Sequence, residues 1–149
     1  MSFSFFFFFS SKQDKAGGLL AEVLEARVHG SLPVTLIGVS TGSRVIFSAL
    51  QQMKTKGIVE NVILIGAPVS NDTKVWKSIK MLVSHRLINV YSSKDWALRL
   101  LFRMDQFAIG CAGLMPIDDA ESFGVEQFDC QSAHFSLQKK LGNILKSVL

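Results

Sequence analysis

Two cysteines in 149 residues, Cys111 and Cys130, are too few and too isolated to staple a fold or to give the paired spacing of a zinc site. Reduced thiols in a cytosol-facing domain are therefore expected, with no metal centre, and no cofactor motif is read. Charged residues make up only 19% of the chain and the net charge is +4. Basic and aromatic residues do not interleave, which argues against nucleic acid as a partner. No apolar run reaches the roughly twenty residues that cross a bilayer. The amino terminus has neither the basic region nor the small-residue cleavage site of a signal peptide. What the chain does have is a hydrophobic fraction of 48%, which suits strands buried on both faces better than a solvated binding module.

The most informative stretch is Gly38-Val39-Ser40-Thr41-Gly42. It lies between an apolar β-run, Val34 to Ile37, and an amphipathic run through Val45, Ile46, Ala49, Leu50 and Met53. That is the sequence form of a nucleophile elbow, in which a serine occupies a strained strand-to-helix turn and is pushed out above a sheet. Gly38 and Gly42 are expected where side chains would collide with the neighbouring strand and helix. The plainer reading is a tight turn whose serine caps the helix.

Downstream, Asn61 to Pro68 reads as a second buried strand, and a helix around Trp76 to Val83 leads to a third strand at Arg86 to Ser92. Asp95 follows the third strand's carboxyl end. A fourth strand at Val125 to Cys130 is followed by His134 and a closing helix over Leu137 to Leu149. Ligands bind at the carboxyl ends of strands in open α/β sheets. His134 therefore shares a rim with Ser40 and Asp95, whereas His29 and His85 precede strands and fall at the opposite edge. The order Ser, acid, His is that of the α/β-hydrolase triad. Ser40 would be the nucleophile, His134 the base and Asp95 its orienting acid, with the backbone N–H of Thr41 in an oxyanion hole. Asp72, beyond the second strand, is the competing acid. Asp118 and Asp119 lie in a loop, and Asp129 falls within the fourth strand.

Several blocks carry a family resemblance: Pro33 to Gly38 with Ser40, Gly42 and Arg44 to Ile46; Gly57 to Val62; Gly66 to Val69; Arg86 to Asn89; Asp95-Trp96; and Ala112 to Leu114. Over residues 15–149 the chain resembles the transmembrane and coiled-coil domain-containing protein four family. The resemblance implies a membrane-associated protein with an α/β-hydrolase-like domain of unknown function. Ser40, Asp95 and His134 match that family's elbow serine, acid and late histidine. Thr41 stands where the family tends to leucine, Ser43 where it tends to alanine, and Ala133 where it tends to glycine.

The expected fold class is α/β: the carboxyl-terminal half of an α/β-hydrolase fold, a mostly parallel sheet of about four strands flanked by helices. A complete fold of this kind has about eight strands and takes its second oxyanion donor from a loop after the third. A shortened chain is therefore expected, with a partner chain or a missing amino-terminal half completing the sheet beside the elbow strand. Residues 1–14 read as a low-complexity Phe/Ser segment, expected to be disordered, with Phe5 to Phe9 in succession, and residues 15–149 as the partial domain. Lys12 to Gly18 would link into a first helix over Leu19 to Val28.

Trp96 to Met104 suits either core packing or an interfacial helix near the active rim. Phe107 to Phe123 reads as an irregular loop, long enough to be a pocket wall or lid. Two functions remain open. One is a serine hydrolase acting on an ester, thioester or lipid acyl group. The other is a catalytically silent α/β-hydrolase domain kept for protein or membrane binding.

Overall fold

A computed structural model describes residues 2–103, 110–137 and 139–148. The apolar β-rich runs become β1 (Val34–Val39), β2 (Val59–Ile65), β3 (Leu87–Tyr91) and β4 (Val125–Asp129), which form one all-parallel sheet in that order. Parallel neighbours cannot be joined by a tight turn. Helices α2 (Thr41–Gln52) and α3 (Thr73–Lys80) make the first two crossovers, and the third includes α4 (Trp96–Arg103) and a 3₁₀ turn, Ala120–Phe123. Helix α1 (Ser2–Glu25) precedes the sheet, and α5 (Leu141–Val148) follows a second 3₁₀ turn at His134–Ser136. The expected α/β architecture, a four-stranded parallel sheet flanked by helices, is what forms.

Alternation along β2 divides the core. Val62 and Leu64 point into a cluster with Phe47, Leu50, Trp76 and Ile79. Ile63 and Ile65 point the other way, onto Ile88, Val90, Leu137 and Ile144. Each such side chain, fully buried, contributes about 1.5–3 kcal/mol. Burial on both faces is why these strands read as unbroken apolar runs.

Several boundaries differ from the sequence reading. β2 ends at Ile65 because Gly66 turns the chain with φ 57°. α3 starts at Thr73 because the Asp72 carboxylate accepts the Lys74 N–H at 2.9 Å and caps it. The closing helix begins at Leu141, after the 3₁₀ turn, and Leu149 lies outside the described residues.

The largest difference is α1. From Ser2 the backbone is helical as far as Glu25, through the link expected over residues 12–18. Gly17, within that expected link, is a helix contact: a Cβ on it would sit 2.6 Å from Ser48 Cβ. Glycine there lets α1 lie close against α2. Asp14 fixes the register by holding Arg44 through both carboxylate oxygens, at 3.2 and 3.1 Å. Glu25 closes the other end by accepting the Lys54 and Thr55 amides.

The loop expected over Phe107 to Phe123 has its residues 107–109 outside the described residues; from Gly110 onward it is strapped to the first face of the sheet. Asn89 Nδ2 donates to the Ala112 carbonyl at 2.9 Å. Gln127 accepts the Ile117 N–H and returns a bond to the Ile117 carbonyl at 3.1 Å. Asn89 and Gln127 are register partners on β3 and β4, so two rungs of one polar ladder hold the strap while Ala112, Ile117 and Ala120 are buried.

β1 and β4 are the edges of the described sheet. On β1, Ile37 is 44% exposed and Thr35 is exposed as well.

Candidate active site

The turn between β1 and α2 is strained at one residue. Ser40 has φ 52° and ψ −118°, a conformation that costs a non-glycine residue about 1–3 kcal/mol. Its surroundings enforce it. Ser40 N–H donates to the Ile65 carbonyl at 2.8 Å. The buried Ser43 hydroxyl donates to the same carbonyl and accepts the Ile65 N–H, both at 3.1 Å. Gly38 is required by the resulting close approach, since a Cβ there would lie 2.7 Å from Ser43 N and Cα. Gly42 is different: a Cβ would meet nothing within 4 Å, so the collision expected there does not exist.

Ser40 does not cap α2 with its side chain. Its Oγ lies 2.9 Å from His134 Nε2. His134 opens the 3₁₀ turn beyond β4, and its Nδ1 lies 2.7 Å from Asp95 Oδ2. A carboxylate can only accept, so Nδ1 carries the proton and Nε2 is left to accept from the Ser40 hydroxyl.

Asp95 is fully buried. Its second oxygen, Oδ1, accepts the Leu98 N–H at 2.9 Å and so caps α4. One carboxylate thus serves two partners: the helix holds one oxygen, which aims the other at the imidazole. The loops bearing the acid and the histidine are stitched together by Ser92 Oγ, which donates to the Ser132 carbonyl at 2.7 Å. Both serines are buried.

Thr41, the first residue of α2, presents one of the first-turn amides that have no acceptor within the helix. Its N–H is adjacent to the Ser40 hydroxyl along the chain. Across the rim, Arg44 Nη1 donates to the Pro68 carbonyl at 3.1 Å, which fixes the loop leaving β2.

The alternative residues go elsewhere. Asp72 is exposed and is spent on capping α3. Asp118 is exposed, and its carbonyl accepts the Thr73 hydroxyl. Asp119 takes a left-handed conformation ahead of a 3₁₀ turn. Asp129 accepts from Ser93 Oγ and the Gln131 N–H. His85 N–H bonds the Glu60 carbonyl near the start of β2, at the opposite edge. Burial pushes the Cys111 thiol up to about 11, which removes it as a nucleophile near neutrality. Among the described residues, no group of His, Cys, Asp and Glu could hold a metal ion, and no helix is long and apolar enough to cross a membrane.

The sequence reading missed three supports: the Ser43 bracket, the Arg44–Asp14 pair and the Ser92–Ser132 stitch. For Ser43 a signal was there, a hydroxyl where the resembling family tends to alanine.

Residues 5–149 match the family described as "protein of unknown function (DUF726)". The chain is 40% identical over 145 residues to "uncharacterized membrane protein F35D11.3" of Caenorhabditis elegans, covering 93% of this chain and 24% of that protein. It is 45% identical over 122 residues to "transmembrane and coiled-coil domain-containing protein STS1" of Oryza sativa subsp. japonica, covering 79% and 18%. It is 38% identical over 140 residues to "probable lipase MIL1" of Saccharomyces cerevisiae, covering 89% and 13%. The chain therefore spans a quarter or less of the length of these relatives. No solved structure matches it.

Proposed function

The chain belongs to the DUF726 family of proteins of unknown function, and from the rim of its sheet we propose a serine hydrolase-like domain that cleaves an ester, thioester or lipid acyl group. The observation that carries this reading is the continuous relay from Ser40 through His134 to Asp95, at 2.9 and 2.7 Å, with the serine on a strained turn and the acid buried. A yeast relative named a probable lipase and relatives named membrane proteins support an acyl substrate at a membrane. In this reading the domain is one half of an α/β-hydrolase fold, cytosol-facing, and akin to the transmembrane and coiled-coil domain-containing proteins.

The chemistry follows from the geometry. Ser40 Oγ attacks the acyl carbonyl while His134 Nε2 takes its proton, and Asp95 stabilises the imidazolium that forms. The oxyanion is received by the Thr41 N–H. His134 then returns the proton to the leaving alcohol or thiol as the tetrahedral intermediate collapses to an acyl-serine. Water, deprotonated by the same nitrogen, releases the acid and restores Ser40. A second oxyanion donor comes with further strands that pair with the β1 edge, from the rest of a longer chain or from a partner. One such donor is worth on the order of a hundred- to a thousand-fold in rate.

Labelling with a fluorophosphonate probe tests the proposal. Covalent labelling that is lost in Ser40→Ala is the expected result. A folded chain that does not label, alone or with strands supplied to its β1 edge, would leave the catalytically silent binding domain as the better reading.

A further inference from the structure

Helix α4 turns an unusual face to solvent. Ala97 and Leu98 on one side are buried, whereas Trp96 is 60% and Leu100 58% exposed. Spaced four apart, these two lie on the same helical face. Large aromatic residues are ordinarily well covered. Two basic residues frame them: Lys94 just before the helix and Arg99 within it, both exposed. Met115, 44% exposed, follows Gly113, whose N–H and carbonyl bond Ala67 and Ser92 at the carboxyl ends of β2 and β3. All of this lies on the rim that carries Ser40, because Asp95 both orients His134 and caps α4.

A second element rises on the same side. α1 runs parallel to α2, with Asp14 level with Arg44 and Glu25 beside Lys54. Residues 2–10 therefore continue past the start of α2, by roughly 13 Å at the helical rise per residue. The sequence places Phe5 to Phe9 in that overhang.

We infer that this rim is a docking surface for an anionic lipid bilayer, with Trp96 and Leu100 entering the interfacial zone and Lys94 and Arg99 resting on its headgroups. Trp belongs in that zone because its ring is apolar and its N–H is polar. Basic side chains beside an apolar helix face are attracted to anionic headgroups. Docked in this way, the sheet's carboxyl rim faces the membrane, and Ser40 opens toward lipid esters. That last step rests on the hydrolase reading; the docking itself does not.

The test uses vesicles of phosphatidylcholine with about 30% phosphatidylserine. Brominated acyl chains in these vesicles should quench Trp96, and Trp96→Phe, which keeps only the fully buried Trp76, should lose the quenching. The Trp96→Ser/Leu100→Ser variant should bind about tenfold or more weakly. Lys94→Gln/Arg99→Gln, which leaves the apolar face intact, should weaken binding to these vesicles and not to phosphatidylcholine alone. Wild-type protein that does not bind, that binds without quenching of Trp96, or that binds no better than the Ser/Ser variant would overturn the inference. Ser40→Ala should dock like the wild type. Docking by a chain whose Ser40 does not label would sink the hydrolase reading and leave the lipid surface standing; labelling without docking would do the reverse.

Discussion

The Ser92 hydroxyl donates to the Ser132 carbonyl at 2.7 Å, and that one buried bond ties the loop after β3 to the loop after β4. Asp95 is on the first loop and His134 on the second, so their distance depends on this stitch as well as on their own contact. Ser92→Ala should lower stability by about 1–3 kcal/mol. It should also slow fluorophosphonate labelling in protein that remains folded. Loss of stability with an unchanged labelling rate would assign Ser92 to the fold alone.

Asp95→Asn keeps the size of the side chain and removes its charge. The amide can donate to Nδ1 and hold the imidazole in the wrong tautomer, so labelling should fall on the order of a thousandfold or more. The Leu98 cap is retained by the amide oxygen, and the thermal midpoint should move little. A labelling rate within tenfold of wild type would remove Asp95 from the relay.

The two elbow glycines should separate cleanly. Gly38→Ala forces a Cβ to 2.7 Å from the Ser43 backbone and should cost at least about 1–3 kcal/mol in urea unfolding. Gly42→Ala meets open space in the first turn of α2 and should be neutral or stabilising, by up to about 1 kcal/mol.

Ser43→Ala restores the residue to which the resembling family tends and removes both bonds to Ile65. Labelling should slow, because the strained turn loses one of its two ties, while the parallel pairing of β1 with β2 persists. Equal labelling would mean that the Ser40 N–H bond to Ile65 suffices.

Acid should act through Glu126. Arg86 reaches it at 2.7 Å and holds its carboxyl below the usual value. A depressed folded value means that the pair stabilises fully above the ordinary carboxylate range, and that this contribution is lost as pH falls through the lowered one. Urea midpoints of wild type and Glu126→Gln should therefore differ near neutral pH and converge in strong acid. Both groups are partly exposed, so the difference should also shrink in high salt.

The parts of this molecule that could be read from sequence were those written in period and order. The apolar runs around Ile37, Ile63 and Ile88 declared parallel strands, and strand ends then placed Ser40, Asp95 and His134 on one rim. What could not be read depends on register between distant segments. Asn89 and Gln127 are ordinary amides until β3 and β4 pair and set them side by side under the strap. Gly17 and Gly18 sit in a stretch that reads as a link until Ser48 packs against the first and Gln52 against the second. The Ser92 hydroxyl has no pattern at all, because short polar residues at loop starts are common and only the fold brings it the Ser132 carbonyl.

Asp95's double duty turns the first turn of α4 into a reporter. The Leu98 amide proton is protected by the same carboxylate that orients His134. Its hydrogen-exchange rate therefore reports on the carboxylate that faces the imidazole, in the resting protein and without any substrate. A carboxylate that swings away releases the Leu98 N–H and the imidazole Nδ1 together, so faster exchange at Leu98 is the expected mark of an imidazole that has lost its anchor.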